Sequence, residues 1–416
     1  MTIDLPASKS ISNRLLILNA ISNSEHSIDN LSNCDDTMVL KKALCSNLKI
    51  IDVGRAGTAM RFLTAYLSTS EGEWYLTGDK RMKQRPIDIL VDAINNLGGH
   101  VEYAEKKGFP PLHIFGKKLR GGAIEVDGQI SSQFISALLM IAPTMKNGLS
   151  IKIIGKNSSF PYINMTLSLM KEFGINYSFK ENVIFVPHCI YTPHPTIVES
   201  DWSAASYWFE IMALCRNELI IYLKGLEKHS IQGDSVVASL FNLLGVKSKF
   251  IENKLKLEKS GHIVTHFNFD FTNSPDLVQT IAVTCAFLNV PFNLAGLHTL
   301  KFKETDRIAA LKTELRKFGF DVKSNDKDNL FWNGKKIEKQ SNINVKTYND
   351  HRMAMSFAPA IFRTDNFEIE NPKVVTKSYP KFWQDFSEVI EYIRELLKTT
   401  KSRLATKEKA EFTLCK

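Results

Sequence analysis

The chain has 416 residues, of which 44% are hydrophobic and 23% charged, a balance that predicts a soluble globular protein of two or three domains. The formal net charge is +9, but the stretch from Lys398 to the end contributes +4 of it, which leaves the body at +5. A mildly basic body fits small acidic substrates at least as well as a nucleic acid, and no nucleic-acid partner is expected.

The sequence lacks the marks of export, membrane insertion and metal binding. Its six cysteines form no C-x-x-C pair, which favours a reduced, cytoplasmic location. The first four residues lack the charged and apolar regions of a signal peptide. Apolar runs such as 134–143 and 281–288 are shorter than the roughly 18 residues of a membrane span. His262 and His266 are more typical of a structural pair than of a metal site.

The first predicted helix begins with polar and basic residues. Residues 5–14 spell L-P-A-S-K-S-I-S-N-R ahead of an apolar run, so Ser8 or Ser10 is expected as the N-cap, with Lys9 and Arg14 near the same end. The first N–H groups of a helix are unpaired and its dipole is positive there. This helix start is therefore predicted to bind an anion.

A strand, a glycine turn and a second helix follow. Residues 48–51 are predicted to form the strand, 52–61 (D-V-G-R-A-G-T-A-M-R) the turn and helix start, and 62–67 its apolar continuation. Gly57 lets a ligand approach the backbone, and Arg61 can donate a fork of N–H groups to a phosphate or carboxylate. Taken alone, such a turn is more often an ordinary βα loop with a surface arginine.

Two more polar helix starts lie in the first half. Residues 78–87 (G-D-K-R-M-K-Q-R-P-I) supply cations before a helix that Pro86 is expected to open. The triplet Ser131-Ser132-Gln133 is expected to cap a helix and to donate to a sugar-like hydroxyl or a phosphate. Ser159 and Tyr162 occupy the same kind of position.

Helices of the second half begin with acids as well as bases. The acids at these positions are Asp201, Asp276, Asp306 and Asp350. For Asp201, Asp306 and Asp350 we favour capping over catalysis, because a first-turn carboxylate stabilises a helix without any further role. The run K-E-T-D-R at 303–307 is denser than capping requires and leads into an amphipathic core helix.

A junction of helix, glycine and strand recurs four times. Its glycines are Gly98, Gly174, Gly245 and Gly319, which lie 76, 71 and 74 residues apart. We expect each at a left-handed helix cap, and the spacing predicts a repeated α/β unit of about seventy residues. A Pro-rich stretch at 192–196 is typical of a hinge. We therefore expect an N-terminal domain over 1–197, a C-terminal domain over 198–397 and a disordered tail over 398–416.

The motifs resemble those of one enzyme family. Between Ile3 and Phe386 the chain carries, in this order, L-P-x-S-K-S-x-S-N-R, A-G-T-A-M-R, R-M-x-x-R-P, S-S-Q-F, P-Y, K-E-T-D-R-x-x-A, Y-N-D-H-R-M-A-M and T-K-S-Y-P. The ordered set closely resembles the 5-enolpyruvylshikimate-3-phosphate synthases. The resemblance implies transfer of the enolpyruvyl group of phosphoenolpyruvate to the 5-hydroxyl of shikimate 3-phosphate, with release of phosphate, in the shikimate pathway.

The resemblance also implies the fold and the general properties of the protein. The fold would be α/β, with two similar domains of three βαβαββ units each, known as an inverse α/β barrel. The first domain would lie mainly on the shikimate 3-phosphate side of the site and the second mainly on the phosphoenolpyruvate side. The enzyme would be a monomer that uses no metal and no cofactor.

Site residues follow from the resemblance, position by position. Shikimate 3-phosphate is expected to contact Lys9, Ser10, Arg14, Ser131, Ser132, Gln133, Ser159, Asp276 and Lys303. Phosphoenolpyruvate is expected to contact Lys9, Gly57, Arg61, Arg85, Gln133, Arg307, Arg352 and Lys377. The acid–base groups are expected to be Asp276 at the hydroxyl and Glu304 at C3, with Lys9 assisting. The eight lysines and arginines of these motifs exceed the about five to six negative charges that the two substrates bring.

The sequence departs from the family pattern at three places, and it is compatible with two alternative functions. Only four residues precede Leu5, where the family has a strand that joins the second domain, so either the start of the sequence is misplaced or this strand is expected to be lost. Arg55 stands where many members have Asn, and Thr299 where an Asn often lies near the shikimate phosphate. The acceptor could instead be a UDP-sugar, although residues 80–85 lack the loop cysteine of such enzymes. The chain could also be a phosphate-binding protein of this fold without catalytic activity.

Overall fold

The computed structural model describes residues 1–46, 48–128, 131–155 and 160–397. Two predictions from the sequence lie outside these ranges. They are the substrate contact of Ser159 and the disorder of the tail over 398–416.

The first half of the chain contains two complete βαβαββ units. One unit comprises β3 (Ile50–Asp52), α3 (Gly57–Thr69), β4 (Gly72–Thr77), α4 (Asp88–Asn96), β5 (Val101–Tyr103) and β6 (Leu112–Gly116). The next comprises β7 (Gly122–Asp127), α5 (Ser132–Ile141), β8 (Leu149–Ile154), α6 (Phe160–Glu172), β9 (Ser178–Lys180) and β10 (Val183–Val186). Their sheets have the strand orders β3-β4-β6-β5 and β7-β8-β10-β9, with the first pair of each parallel.

A shorter third unit completes the first half. It consists of α1 (Lys9–Ile21), β2 (Ile28–Asp29), α2 (Asp35–Cys45) and, far along the chain, β11 (Thr196–Ile197). β11 pairs in parallel with β2. The predicted opening of α4 by Pro86 is wrong by two residues, because Ile87 is the N-cap and the helix begins at Asp88.

The second half also contains three units. The first comprises β1 (Thr2–Asp4), α7 (Trp202–Leu214), β12 (Ile221–Lys224), α8 (Val237–Asn242), β13 (Leu244–Ile251) and β14 (Lys254–Ile263). The second comprises β15 (Phe267–Asp270), α9 (Val278–Leu288), β16 (Phe292–Ala295), α10 (Arg307–Lys317) and β17 (Leu330–Trp332). The third comprises β18 (Ile343–Val345), α11 (His351–Phe357) and β19 (Phe367–Ile369), followed by helical residues 382–397.

The central helices are buried on nearly every side. In α7 every residue except Ser203 is buried, and in α5 every residue except Gln133. Helices that are apolar all round belong in a core, whereas strands such as β8 and β10 alternate between buried and more exposed residues. Helices therefore lie inside and sheets outside, as the predicted inverse α/β barrel requires.

The buried side chains form two separate clusters. The first core runs from Ala7 to Val198, and the second contains Ile3, Leu5 and residues from Trp202 to Ile393. Where the chain passes between the cores, two segments run side by side: Ser8 N–H donates to Glu199 O at 2.8 Å and Asp201 N–H to Pro6 O at 2.9 Å. The division at 197/198, with its assignment of substrates, stays a prediction.

The repeated glycines all have the left-handed backbone that the sequence predicts. Gly98, Gly174 and Gly319 each follow a helix directly, whereas the predicted helix cap is wrong for Gly245, which lies inside β13 at an irregularity of its pairing with β14. Gly98, Gly174, Gly245 and Gly319 have φ angles of +97°, +80°, +89° and +89°. Left-handed backbone of this kind is where glycine is preferred over residues with a Cβ. The fold class is confirmed, and the seventy-residue repeat reflects its recurring βαβαββ unit.

The expectation of a lost strand is wrong. Thr2, Ile3 and Asp4 form β1, which pairs in parallel with Tyr222, Leu223 and Lys224 of β12. Three residues are enough because Ile3, only 2% exposed, enters the second core and the Met1 amino group donates to Ile220 O at 3.1 Å. No helix in the described part of the chain has the length and apolarity needed to cross a bilayer.

Replacing Ile3 by Ala should therefore destabilise the second core by about 2–4 kcal/mol, as expected for a large-to-small change at a buried site. Thr2→Ala, on the exposed face of the same strand, should change the free energy of unfolding by less than about 0.5 kcal/mol. Tryptophan fluorescence in urea measures both, because four of the five tryptophans lie in the second half. Equal effects of the two substitutions would show that β1 does not contribute to this core.

Candidate active site

Polar side chains cap the helices whose N-termini face the boundary between the cores. Ser8 accepts from Ile11 N–H at the start of α1, and Ser131 from Gln133 N–H at the start of α5. Asp201, Asp306 and Asp350 accept from backbone N–H groups of α7, α10 and α11. All three carboxylates are thus caps, as favoured from the sequence.

Residues of both cores line one cavity of about 500 Å³, which we call the cleft. From the first half it receives Lys9, Ser10, Arg14, Gly57, Arg61, Arg85, Ser131, Ser132 and Gln133. From the second half it receives Asp276, Lys303, Glu304, Arg307 and Arg352. Lys377 does not line the cleft but contacts Glu304 at 3.5 Å. The predicted site residues within the described ranges are thus brought together, while their ligand contacts stay predictions.

Two of the predicted binding arginines are largely occupied by the protein itself. Arg14 donates to Thr166 Oγ1 at 2.7 Å, Ser136 Oγ at 3.0 Å and Ser10 O at 2.9 Å, and burial lowers its pKa to about 10. Arg61 donates to Gly57 O at 3.1 Å and Pro86 O at 3.3 Å. Arg61 therefore holds the glycine loop in place and has few N–H groups left for a ligand.

Arg85 differs from both. Its guanidinium donates no hydrogen bond to a residue that the structure describes, and its Nε, like that of Arg61, is buried without a partner. Its guanidinium lies against Gly57, so closely that a Cβ added to this glycine would be 2.4 Å from Arg85 Nη1. A buried donor group without a partner is costly, so Arg85 is the arginine of the first half best prepared to bind an anion.

The candidate acid–base carboxylates share one cation. Arg307, 1% exposed, places Nη1 3.0 Å from Asp276 Oδ1 and Nη2 3.1 Å from Glu304 Oε2. Its Nε contacts Asp350 Oδ2 at 2.7 Å. Arg352 approaches the second oxygen of Asp276 at 2.9 Å. Three carboxylates from three segments are therefore fixed relative to one guanidinium.

This network keeps both candidate carboxylates ionised. Burial alone would raise the pKa of Asp276, but Arg352, Lys303 and Arg307 hold it well below its ordinary value. Burial alone would also raise the pKa of Glu304. Lys377, Arg307 and Arg85 outweigh this effect, so the pKa of Glu304 is well below its ordinary value as well. In both cases opposite charge within a few ångströms outweighs desolvation.

Asp36 is a site residue that the sequence analysis missed. It is 4% exposed and lies 3.5 Å from Lys9 Nζ and 3.0 Å from Lys377 Nζ. Burial would lower the pKa of Lys9, yet Asp36 raises it above its ordinary value. The only sequence signal was an acidic pair at the start of a helix, which is also typical of a simple cap.

Other acids reduce the surplus of positive charge expected from the motifs. Among the described residues, the cleft has seven lysines and arginines but also five carboxylates, including Asp36, Asp88 and Asp127. His351 also lines it. Burial, Lys9 and Arg352 lower the pKa of His351 well below its ordinary value, so it is neutral there. The expectation counted only Asp276 and Glu304 and therefore overestimated the net charge.

A second set of hydrogen bonds, made by Glu314 of α10, lies behind the ion-pair network of Arg307. Glu314 is two turns after Arg307 and fully buried; it accepts from Tyr348 Oη at 2.7 Å and from Lys346 N–H at 3.0 Å. Tyr348 and Asn349 both have positive φ, at 53° and 57°, which is unfavourable for residues with a Cβ. Glu314 thus helps to hold the strained turn that delivers Asp350 to Arg307.

The geometry agrees with comparisons to known proteins. A family model described as EPSP synthase (3-phosphoshikimate 1-carboxyvinyltransferase) matches residues 39–386. A Bacteroides fragilis protein named 3-phosphoshikimate 1-carboxyvinyltransferase is 51% identical over 389 residues, which cover 92% of this chain and 94% of the relative. The chain belongs to the EPSP synthase family. A Haemophilus influenzae protein of the same name is 35% identical, with 93% of this chain and 96% of the relative covered.

Solved structures support the same fold. An EPSP synthase from Acinetobacter baumannii has a TM-score of 0.71 at 19% identity, with 92% of this chain and 94% of that chain covered. The enolpyruvyl transferase NikO from Streptomyces tendae has a TM-score of 0.68 at 13% identity, covering 93% and 94%. At such identities the likeness concerns the fold alone. The predicted membership of the EPSP synthase family is confirmed by the sequence matches.

Gly57→Ala should displace Arg85 in this EPSP synthase family member, because the new methyl group would lie 3.0 Å from its Cζ and closer to Nη1. The end of a flexible side chain can shift, so the fold should persist. We expect KM for phosphoenolpyruvate, the ligand predicted for Arg85, to rise about tenfold or more, the loss of one charged hydrogen bond. KM for shikimate 3-phosphate is the internal control. An unchanged KM for phosphoenolpyruvate would show that Arg85 does not contribute to binding this substrate.

Proposed function

We propose that the protein transfers the enolpyruvyl group of phosphoenolpyruvate to the 5-hydroxyl of shikimate 3-phosphate, forming 5-enolpyruvylshikimate 3-phosphate and phosphate. The product would serve chorismate and aromatic amino acid biosynthesis. The observation that carries the proposal is the single cleft in which Arg307 holds Asp276 and Glu304 at its two terminal nitrogens. The names of the Bacteroides and Haemophilus relatives support the same activity.

The addition step needs a base at the hydroxyl and an acid at C3. Asp276 is the base: its ionised carboxylate takes the proton as the 5-oxygen bonds to C2 of phosphoenolpyruvate. C3 gains a proton from Glu304, or from Lys9, whose raised pKa keeps it protonated. The product of this step is a tetrahedral adduct with a methyl group at C3 and the phosphate still attached to C2.

Glu304 must change its protonation state to serve as the acid. Lys377, Arg307 and Arg85 depress its pKa, and phosphoenolpyruvate brings negative charge to the same cations. Their hold on Glu304 then weakens, so its pKa rises and it can carry a proton. In the elimination step Glu304 takes a proton back from the methyl group. The bond between C2 and the phosphate oxygen breaks, and phosphate leaves with the electron pair of that bond.

The proposal extends to the state and location of the protein. We place it in the cytoplasm as a monomer without a cofactor, in keeping with unpaired cysteines at positions 34, 45, 189, 215 and 285. The first core would bind mainly shikimate 3-phosphate and the second mainly phosphoenolpyruvate. Gly57, Arg61 and Arg85 of the first half nevertheless line the same cleft, so phosphoenolpyruvate would contact both cores.

Phosphate release from shikimate 3-phosphate and phosphoenolpyruvate tests the activity directly. We expect multiple turnovers with this pair and none with UDP-N-acetylglucosamine as the acceptor. Turnover with the UDP-sugar alone would identify another enolpyruvyl transferase. Binding of both substrates without release of phosphate would identify a phosphate-binding protein that has lost catalysis.

Removing either acid–base carboxylate should slow catalysis while preserving the fold. We expect Asp276→Asn and Glu304→Gln each to lower kcat by about 10²–10⁴, the usual contribution of positioned proton transfer. Asp306→Asn is the matched control, because Asp306 lies in the same loop as Glu304 but does not line the cleft. The new asparagine also keeps a capping side chain. Exchange of the C3 protons with solvent, followed by NMR during turnover, separates the roles. Exchange at the parental rate in Glu304→Gln would show that Lys9, not Glu304, protonates C3.

A further inference from the structure

A second cavity adjoins the cleft and shares two of its residues. It has a volume of about 190 Å³ and is lined in part by Arg55, Asp79, Arg81, Arg85 and Glu304; we call it the annex. Arg85 and Glu304 also line the cleft, so they lie between the two cavities. At about 30 Å³ for each liquid water molecule, the annex has room for a small tetrahedral oxyanion.

The arginines of the annex have donors that the protein leaves unused. The Nε atoms of Arg81 and Arg85 are both buried without a hydrogen-bond partner, and Arg85 as a whole is only 7% exposed. Arg81 donates from Nη2 to Lys303 O at 3.1 Å, one of the five N–H bonds that a guanidinium offers. Buried donors without acceptors favour a ligand that supplies oxygens.

The charge balance of the annex also favours an anion. Its two carboxylates are Asp79 and Glu304. Glu304 is already balanced by Arg307 and Lys377 at 3.1 Å and 3.5 Å, which lie outside the annex lining. Asp79 pairs with Arg55 at 2.7 Å. Neither Arg81 nor Arg85 forms an ion pair with a described carboxylate, although Arg85 is close enough to Glu304 to help lower its pKa.

Arg55 marks the side of the annex that faces solvent. Its side chain is 49% exposed and that of Asp79 29%, whereas Arg85 is buried. An ion pair this exposed is weak and easily exchanged, so Arg55 can leave Asp79 for a competing anion. The annex thus offers a series of guanidinium groups from the buried Arg85 to the exposed Arg55.

We propose that the annex binds inorganic phosphate and provides its exit route from the cleft. This inference rests on the proposed function, in which the C2–O bond breaks and phosphate leaves next to Arg85. Arg85 would keep hold of the departing phosphate while Arg81 and Arg55 replace its contacts on the cleft side. The organic product could then remain in place while phosphate reaches solvent.

Equilibrium dialysis with radiolabelled inorganic phosphate tests the site without requiring turnover. The parent should bind one phosphate more than Arg55→Asn, or bind that phosphate at least about tenfold more tightly. Lys80→Gln is the matched control, because it removes one positive charge next to Arg81 at an exposed position that does not line the annex. Asp79→Asn should act in the opposite direction and tighten binding, since it removes a competing carboxylate. Equal binding by the parent, Arg55→Asn and Asp79→Asn would overturn the proposal.

Product inhibition gives a second measurement. Phosphate held only at the phosphoenolpyruvate position would be purely competitive with phosphoenolpyruvate. An occupied annex should add a non-competitive component, which Arg55→Asn should lose and Lys80→Gln should keep. Purely competitive inhibition of the parent would contradict the exit route. If the enzyme does not turn over shikimate 3-phosphate, the proposed function fails, whereas the dialysis result still decides whether the annex binds phosphate.

Discussion

The guanidinium of Arg307 is the interaction on which the site depends. It is fully buried, and it contacts Asp350 at 2.7 Å, Asp276 at 3.0 Å and Glu304 at 3.1 Å. Burial alone would lower the pKa of Arg307, but these carboxylates raise it above its ordinary value. Loss of the guanidinium would leave buried negative charge uncompensated, which typically costs about 3–5 kcal/mol. The position of each carboxylate is thus fixed by charge as well as by packing.

Carboxylates of the protein also hold its other cations in place. Asp36 bridges Lys9 and Lys377, although the two lysines come from opposite ends of the chain. Without such partners, clustered cations would repel one another and their side chains would turn toward solvent. Fixing them in advance reduces the reorganisation needed when anionic ligands arrive. The cleft therefore combines moderate net charge with precise placement of individual charges.

Much of the fold and of the site was predictable because short sequence patterns, such as glycines and helix caps, indicate local structure. Glycines near the junctions of helix and strand indicated the repeat, and capping residues such as Asp306 and Asp350 marked the helix starts. The sequence could not show how the donors of each arginine are used, because Arg14 and Arg61 bond to groups distant in the chain. Asp36 was missed for the same reason. Three residues were also too few for a pattern of alternation to predict β1.

The pairing of β1 with β12 has a consequence for folding during synthesis. The Met1 amino group and the Ile220 carbonyl that it contacts are 219 positions apart. At about 5–20 residues per second, the ribosome needs roughly 10–45 s to make that stretch. The first core, which lies entirely within it, can form in the meantime while Ile3 and Leu5 await their partners. β1 is therefore made before the first core but incorporated after it, and the first core is an insertion within the second.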